Sequence, residues 1–539
     1  MNQDCTTNIS DIIFRGSPSH YRRKGHGCLE TMRGMAPLLL LPAMLLLATL
    51  RANATTDTLM VGGHCGICDP ETNRLLVAVS DDAEAAAMPA SVTRGGVTWN
   101  VATTTLPLVA LDHGELDSST FRDGKMMLIH GNGTVENFHT LLRYRGSSSL
   151  KYTKKNYAVK LVDANGLDID CPLLGMRDDN SWILDAMASD VARMRNRVST
   201  DLWLALSQRP YYADAEPEMR NGTLGEFVEV SVNGRYWGLY CMTEKVDRKQ
   251  LKLKKLKNEN TVRGVAYKAI AHDNLRTITE VPDNASGTWQ GWEATYPEPS
   301  KDEPFTWEPL YSLAQLLSQP AGSEMVTNTL ETRVDLPVWI DYCLLMDLFH
   351  ADDNAAKNMI VYFRDITASD VRAGICPWDM DATWGRDWEA CECGPETNCN
   401  ISNGVNYHMY NTLADGLVRQ CRRWAELRRE SMTETMILDC FDRYFDLFDR
   451  SGAAQRETER WSGIDGIDLD FQYEREYLHG WVPQRLTYLD YDYGYSISQG
   501  IDTIEVPDGL PADAYGIDGR KLPTRGKGIT IINGKKVLR

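Results

Sequence analysis

Two short stretches of the chain carry side chains that could hold a divalent cation and move a proton. The first is H-A-D-D-N-A-A-K-N (350–358), and the second is P-W-D-M-D-A-T-W-G (377–385). Phosphoryl transfer needs one carboxylate that orients the attacking hydroxyl or accepts its proton. It also needs an amide oxygen and a second carboxylate that hold Mg²⁺ on the phosphates. The two stretches supply all of these groups, so phosphoryl transfer is the first hypothesis.

The spacing within the first stretch selects one of its two acids. Asp353 stands five residues before Asn358, which is the separation of acid and amide in a protein-kinase catalytic loop. Taken alone, Asp352, Asp353 and Asn354 also suit a turn that has no chemical role. The Asp-x-Asp pair that follows at Asp379 favours the catalytic interpretation.

A basic stretch upstream could supply countercharge for phosphate groups. R-Y-R-G-S-S-S (143–149) is followed by four lysines, namely Lys151, Lys154, Lys155 and Lys160. A Gly/Ser turn offers backbone N–H groups and hydroxyls at close range, and neighbouring Arg and Lys side chains pair with phosphate oxygens. The alternative is a solvated strand face. The stretch is conspicuous because the chain as a whole has a net charge of -18.

Short strands must position these residues. Strand composition predicts strands at 75–79, 97–101, 106–111, 125–130, 140–144, 155–162 and 359–363. The Ala/Asp/Glu-rich residues between the first two strands are predicted to form a loop. Asn233-Gly234 predicts a tight hairpin between 227–232 and 236–242.

Helices are predicted in four places. Apolar residues recur at three- and four-residue spacing through 180–206. Asp335 is a suitable N-cap, and Pro337 is tolerated in the first turn, for a helix over 336–349. Helical patterns return at 411–450 and 470–490, whereas 271–304 is rich in Pro, Asp, Asn, Gly and Trp and reads as a long loop.

Several of these segments resemble the motifs of one protein family, both in their residue types and in their order along the chain. R-Y-R-G-S-S-S-L-K-Y-T-K-K-N-Y-A-V-K-L (143–161) resembles the signature of CotH (spore coat protein H) kinases, R-x-R-G-N-S-S followed by K-K-x-Y-x-x-K. The later matches are D-N-S-W-I-L-D-A-M-A-S-D with M-R-N (179–196), G-L-Y-C-M-T-E-K-V-D (238–247) and the two acidic stretches above. The resemblance covers residues 105–495.

The resemblance implies an α+β fold of the atypical two-lobed protein-kinase-like kind. It also implies ATP-dependent phosphorylation of Ser or Thr on exported acceptor proteins, with Mg²⁺ or Mn²⁺ as the cation. Asp353 would be the catalytic carboxylate. The metal ligands would be Asn358, Asp379 and Asp381.

The resemblance also assigns residues to the nucleotide. Lys160 would contact the α- and β-phosphates of ATP, and the adenine would face a hinge at Glu244 and Val246. The remaining residues on the phosphate side would be Arg143, Arg145, Ser147 and Ser148. The chain departs from the family at Ser147, where Asn is usual, and in a cysteine-bearing insertion at 391–399.

The N-terminal residues resemble a secretory signal. An apolar block at 37–50 follows Arg33 and precedes Ala52-Asn53-Ala54, the order found in signal peptides. We therefore expect cleavage near Ala54, with an uncleaved anchor as the alternative, and a start at Met32 or Met35. No second long apolar run follows, so we expect no membrane helix after cleavage and a location in the periplasm, on the outer surface or outside the cell.

Charge and cysteine content narrow the remaining possibilities. The net charge of -18 argues against nucleic acid as a partner, because phosphate backbones would be repelled. Of 13 cysteines, Cys5 and Cys28 precede the predicted cleavage site. Cys65-x-x-Cys68 lacks a second such pair, so disulfides or free thiols are expected rather than zinc.

The predicted organisation has four parts. They are a signal peptide (1–54), a small β-rich domain (55–104), the kinase-like domain (105–498), and a linker with a short C-terminal β tail (499–539). Strands are predicted at 529–532 and 536–538, and the tail resembles C-terminal tails of exported Gram-negative proteins. A plain β-hairpin without a sorting role is the alternative.

Two other functions remain open at this point. A catalytically inactive surface adhesin or structural protein could keep the same fold. A carbohydrate-binding protein could use Trp289, Trp292 and Tyr296 as a stacking surface if these side chains are exposed. Retention of Asp353, Asn358 and Asp379 favours the enzyme.

Overall fold

The computed structural model describes residues 55–258, 260–271, 280–301, 304–319, 322, 324–397 and 413–496. It also describes the backbone of three short strands near the C-terminus. The predicted signal peptide, the start sites at Met32 and Met35, Cys399 and the linker from 500 to 514 lie outside these residues. Over the described part the fold mixes helices and sheets, which agrees with the predicted α+β class.

The first part of the described chain forms a five-stranded sheet. Its strands are β1 (Thr58–Val61), β2 (His64–Asp69), β3 (Arg74–Ala78), β4 (Ser91–Arg94) and β5 (Val97–Thr104), in the order β1-β2-β3-β5-β4. The predicted loop between β3 and β5 was wrong in part, because it contains helix α1 (Asp82–Ala87) and strand β4. The Asp81 side chain caps this helix by accepting a hydrogen bond from the Glu84 N–H at 2.9 Å, and alanines favour helix.

Seven strands then close into a barrel. They are β6 (Leu108–His113), β7 (Arg122–Ile129), β8 (Val135–Arg145), β9 (Asn156–Val162), β12 (Ser181–Asp185), β13 (Gly225–Val232) and β14 (Arg235–Thr243). Their order around the barrel is β12-β14-β13-β6-β7-β8-β9. Two-residue strands β10 (Cys171–Pro172) and β11 (Asp178–Asp179) form a separate ladder. The predicted alternation in β9 is confirmed, because Tyr157, Val159 and Leu161 are buried in the barrel core.

The hairpin of β13 and β14 forms as predicted. Asn233 and Gly234 adopt φ of 51° and 74°, the left-handed conformation that a two-residue turn of this kind requires. The predicted helix over 180–206 was wrong in its first half. Ser181–Asp185 pairs with both β9 and β14 as strand β12, and helix α2 begins only at Arg195 and ends at Leu206.

A second sheet lies beyond the barrel in the chain. It contains β15 (Val265–Ala269), β16 (Thr288–Trp289), β17 (Trp292–Tyr296), β18 (Met359–Phe363) and β19 (Ala373–Pro377), in the order β16-β17-β15-β18-β19. The predicted loop over 271–304 was therefore wrong at β16 and β17. Residues 272–279 of that loop lie outside the described part of the chain.

Seven more helices follow in the described part of the chain. They are α3 (Glu308–Leu317), α4 (Glu324–Arg333), α5 (Leu336–Phe349), α6 (Gly416–Glu430), α7 (Glu434–Ser451), α8 (Ala453–Trp461) and α9 (Phe471–Asp492). Helix α5 is buried on all sides from Val338 to Phe349, as expected for a helix that is apolar all round. Asp335 occupies its N-cap position but does not cap it, because the Asp335 carboxylate instead accepts a hydrogen bond from Tyr211 N–H at 2.8 Å.

Three strands near the C-terminus form their own sheet. They are β20 (Tyr515–Gly516), β21 (Ile529–Ile532) and β22 (Lys535–Leu538), with β21 paired to both neighbours. In the described ranges no helix is long and apolar enough to cross a membrane.

Candidate active site

The two acidic stretches meet where β18 and β19 lie side by side. Asn358 directly precedes β18, and Trp378 directly follows β19. The Trp378 N–H donates to the Asn358 carbonyl at 2.9 Å. Asn358 and Asp379 both have positive φ, 54° and 60°, the left-handed conformation that Asn and Asp adopt more readily than other non-glycine residues. The strand pairing therefore brings the predicted metal ligands into one place.

The Asn354 side chain fastens the two stretches together. Its Nδ2 donates to the Asn358 carbonyl and to the Trp378 carbonyl, both at 2.8 Å. Tyr342 of α5 donates its hydroxyl to the Asn354 carbonyl at 2.8 Å. The Asn354 Oδ1 is buried and has no hydrogen-bond partner among the described residues, which is costly for a polar atom. This side chain therefore sets the relative position of the loops and leaves one acceptor unused.

Asp353 and Asp352 face different surroundings. Asp353 is buried at 8% exposure, forms an ion pair with Lys357 Nζ at 2.8 Å, and acts on the carboxyl of Asp379. The charge of Asp352 instead favours higher pKa values for the His350 ring and the Cys393 thiol. Of the two acids, Asp353 is therefore the one whose charge affects the Asp379 carboxyl. It is also the acid that the five-residue spacing selects.

Charged groups from other parts of the chain surround the Asp379 carboxyl. The residue is exposed to solvent, yet enough protein surrounds it to displace water, which raises the pKa of its carboxyl. Asp185 and Asp353 raise this pKa further, while Arg145 and Lys268 lower it. Two further acids and two cations from separate parts of the chain therefore converge on Asp379.

Asp381 shares this crowding. Burial, and then Asp379, raise the pKa of the Asp381 carboxyl to about 8. The Ser189 hydroxyl donates to Asp381 Oδ2 at 2.8 Å and partly offsets the shift. Repulsion between neighbouring carboxylates is the arrangement that a cation would relieve.

The outer face of the barrel supplies Arg145 and Asp185. Arg145 on β8 pairs with Asn156 on β9, and Asn156 Oδ1 accepts from the Ala186 N–H at 2.6 Å. Because Leu184 pairs with Tyr157, Asp185 lies beside Asn156. The Arg145 guanidinium also stacks 5.5 Å from the centroid of the Trp378 ring. One end of the barrel therefore contacts the loop that carries Asp379.

Lys160 lies on the same face but further along. It pairs with Leu141 and Ser181, and four residues of strand separate it from Asn156, about 13 Å. Its Nζ is 5.3 Å from the centroid of the Phe121 ring, and the Arg143 guanidinium is 4.9 Å from the same centroid. Lys160 and Arg143 therefore sit together on Phe121, whereas Arg145 and Lys268 are the cations that act on Asp379.

The Gly/Ser turn follows β8 directly. Gly146 has φ of 120°, and a Cβ at this position would come within 2.0 Å of Ser149 Oγ, so only glycine fits. Ser147 and Ser148 are exposed, and Ser148–Lys151 forms a 3-10 turn. Lys155 Nζ stabilises the turn by donating a hydrogen bond to the Leu150 carbonyl at 2.5 Å.

The predicted hinge residues lie where β14 ends. The Glu244 side chain is buried, and it accepts from Arg220, from Arg177 N–H and from Leu224 N–H at 2.6, 3.0 and 2.9 Å. Val246 packs in a small core with Leu251 and Leu253. The Glu244 carboxylate is therefore fully engaged, and the Glu244 N–H donates to the Leu224 carbonyl at 3.0 Å, so neither group is open to a ligand.

Sequence reasoning missed Asp185, Lys268 and Asn354 as site residues. It also missed Asn196, whose Oδ1 accepts a hydrogen bond from the Met380 N–H at 3.1 Å. Asp185 and Asn196 lie inside a run that resembles the family, so their presence in that run was the available signal. Lys268 lies on β15, between Tyr267 and Ala269, with no motif around it. Only the pairing of β15 with β18 brings it to the site.

The aromatic surface proposed for carbohydrate binding does not exist in this form. Trp289 and Trp292 are buried, with exposures of 6% and 0%, and Trp289 packs 5.9 Å from the rings of both Trp307 and Tyr311. Tyr296 is half-buried. The expectation of exposed stacking rings was wrong, because these aromatics complete the core around the second sheet.

The described cysteines are free thiols. Cys65 and Cys68 are buried on β2, and Cys391 and Cys393 belong to the insertion beside the Asp-x-Asp loop. Burial raises the pKa of the Cys68 thiol to about 11, so it stays protonated. The sequence left either disulfides or free thiols open, and the described cysteines are free thiols.

Comparison with known proteins identifies the family of this chain. A family model described as CotH kinase protein matches residues 142–489, well over half of the chain. The chain therefore belongs to the CotH kinase protein family. It is similar to the inner spore coat protein H of Bacillus subtilis (strain 168), with 24% identity over 252 residues. The aligned part is 46% of this chain and 59% of that protein, so the chain spans a little over half of its relative's length.

Proposed function

We propose that this chain is an exported atypical kinase that transfers the γ-phosphate of ATP to Ser or Thr residues of secreted or surface proteins. The observation that carries the proposal is the convergence of Asp353, Arg145 and Lys268 on Asp379. A carboxylate that can accept a proton, a second carboxylate that can hold a cation, and fixed positive charge for the phosphates are what phosphoryl transfer requires.

The residues present fit a magnesium nucleotide. Asp379, Asp381 and Asn358 offer the hard oxygen ligands that Mg²⁺ or Mn²⁺ prefers. Asn354 Oδ1 is a buried acceptor close by that no other described residue uses. Within the described ranges, no three acidic, imidazole or thiol groups form a ready-made metal cage. Mg²⁺ usually takes one or two carboxylates and completes its coordination with water and substrate phosphates.

Each residue has a defined task in this proposal. When bound, the Mg²⁺ would neutralise charge that develops on the phosphates. Arg145 and Lys268 would orient the phosphate chain, and Asp353 would accept the proton of the acceptor hydroxyl. Lys357, 2.8 Å from Asp353, would hold that carboxylate in position by a charge-assisted hydrogen bond.

Export is the second half of the proposal. It rests on the apolar block at 37–50 and the small-residue site at Ala52-Asn53-Ala54. The similar protein from Bacillus subtilis is named for the inner spore coat, which is consistent with action outside the cytoplasm. Because free ATP is scarce there, an inactive adhesin with the same fold is the competing outcome of the test below.

The direct test uses residues 55–539 with γ-labelled ATP, Mg²⁺ and a Ser-rich acceptor. We expect label on the protein itself or on the acceptor, and we expect Asp353→Asn to abolish it. Asp352→Asn is the matched control, because it removes the neighbouring carboxylate and should retain labelling. Labelling that survives Asp353→Asn would reject the catalytic assignment, and absence of both ATP binding and labelling in the wild-type protein would favour the adhesin.

A further inference from the structure

A basic cavity lies just after β14, among the residues that follow the predicted hinge. Its volume is about 450 Å³, and nine of its ten lining residues are charged. Six of these are basic: Arg177, Arg248, Lys249, Lys252, Lys254 and Lys255. Three are acidic: Asp178, Glu216 and Glu218. This excess of positive charge stands on a chain whose net charge is -18, so overall composition does not account for it.

The wall of the cavity is held rigidly. Leu251 and Leu253 are buried at 0% and 2% exposure, and the Tyr212 hydroxyl donates to the Leu251 carbonyl at 2.7 Å. Gln250 Nε2 donates to the Gly222 carbonyl at 2.6 Å. Along 248–255, anchored apolar residues therefore alternate with basic side chains that are exposed or half-buried, whereas Arg177 forms ion pairs with Asp179 and Asp247.

Part of the positive charge is already paired. Lys249 contacts Asp170 and Asp179 at 2.9 and 3.0 Å, Lys254 contacts Glu216 at 2.9 Å, and Lys252 lies 3.6 Å from Glu218. Arg248 and Lys255 have no ion-pair partner within the described ranges. These two side chains are available to a ligand of opposite charge.

We propose that this cavity binds a short acidic segment of a partner polypeptide. A cavity of this size suits a few Asp or Glu side chains and offers no continuous basic track. Nucleic acid and anionic membranes extend beyond the cavity, so the acidic residues on the rest of the protein surface would repel them. A short acidic segment would not be repelled in this way, because charge is screened beyond about 8 Å at physiological salt. The proposal does not depend on phosphoryl transfer.

The test measures fluorescence anisotropy of a labelled peptide of alternating Glu and Gly with residues 55–539. We expect binding that weakens as salt rises, and Arg248→Glu with Lys255→Glu should weaken it roughly tenfold or more, since opposed charges are replaced by like ones. The matched control is Arg94→Glu with Lys125→Glu, which makes the same charge change at exposed residues outside the cavity. This control should retain binding within about twofold. Unchanged thermal unfolding would show that both variants fold.

Three results would overturn the proposal. The first is a wild-type protein that does not bind the peptide at low salt, and the second is a cavity variant that binds as well as the wild type. The third is tighter binding of duplex DNA or of phosphatidylserine vesicles than of the peptide. Loss of phosphotransfer with retained peptide binding would reject the proposed kinase function and leave this surface intact.

Discussion

Asn196 donates a hydrogen bond to Asp185, with 3.0 Å between Asn196 Nδ2 and Asp185 Oδ2. The other end of the same carboxamide, Oδ1, accepts from the Met380 N–H at 3.1 Å. Asp185 belongs to the barrel, and Met380 lies between the two acids of the Asp-x-Asp loop. A single side chain at the start of α2 thus ties the barrel to that loop.

Replacing Asn196 should weaken nucleotide binding. Asn196→Ala removes both hydrogen bonds, one of them to a charged group, so Mg²⁺·ATP should bind about 10-fold to 100-fold more weakly. Calorimetric titration measures this. Asn165→Ala is the control, because Asn165 contacts Asp163 at an exposed turn at 3.4 Å and its loss should leave affinity unchanged. Equal affinities for wild type and Asn196→Ala would show that this link does not position the loop.

Arg145 should matter more than Lys160 for ATP affinity. Arg145 acts on Asp379 and stacks on Trp378, whereas Lys160 sits over Phe121. We expect Arg145→Ala to raise the dissociation constant of Mg²⁺·ATP at least about tenfold, the scale of a charge-assisted hydrogen bond. Lys160→Ala should have a smaller effect. The opposite order in the same titration would support the assignment of Lys160 that the family resemblance implies.

Stability in the absence of metal should fall as pH rises towards 8. In the folded protein Asp381 has a pKa of about 8, raised from 3.8. The folded state therefore holds a proton that the unfolded state releases, and stability is lost between these two values as pH increases. Thermal unfolding from pH 5 to pH 8 should show a steeper decline for wild type than for Asp381→Asn. Parallel declines would mean that Asp381 ionises normally.

A buried carboxylate near the Gly/Ser turn should carry much of the fold's stability. Glu457 of α8 has no exposed side-chain surface. It accepts from Lys154 Nζ, Arg193 Nε and Leu239 N–H at 2.6, 2.8 and 2.7 Å. Glu457→Gln leaves two buried cations without their counterion and should cost about 3–5 kcal/mol of unfolding free energy.

Urea unfolding can measure this effect. The control is Asp415→Asn, which removes an exposed ion pair with Arg419 of 2.8 Å and should cost at most about 1 kcal/mol. A Glu457→Gln loss no larger than that of the control would show that the two cations find other partners.

Local signals in the sequence were enough for several elements. Asn233-Gly234 specified a turn through its backbone preference alone, and alternation in β9 marked the barrel interior. The five-residue spacing selected Asp353 without any knowledge of its neighbours. These predictions depend on residues close together in sequence, where propensity and periodicity act directly.

The other features depend on long-range pairing. Trp182, Ile183 and Leu184 form an apolar run that fits a helix as well as a strand, and only its position between β9 and β14 settles the choice. Lys268 reaches Asp379 because β15 pairs with β18. The roles of Arg145 and Lys160 differ by where each lies along the barrel. No periodicity in a single segment encodes such relationships.

The most direct test of the account is a crystal structure with Mg²⁺ and a non-hydrolysable ATP analogue. The account predicts a cation about 2.0–2.1 Å from a carboxylate oxygen of Asp379. It also predicts the γ-phosphate within reach of Arg145, with the Asp353 carboxylate facing that phosphate. A nucleotide bound elsewhere, or a cation that Asp379 does not ligate, would contradict the claim that these acids form a phosphotransfer site.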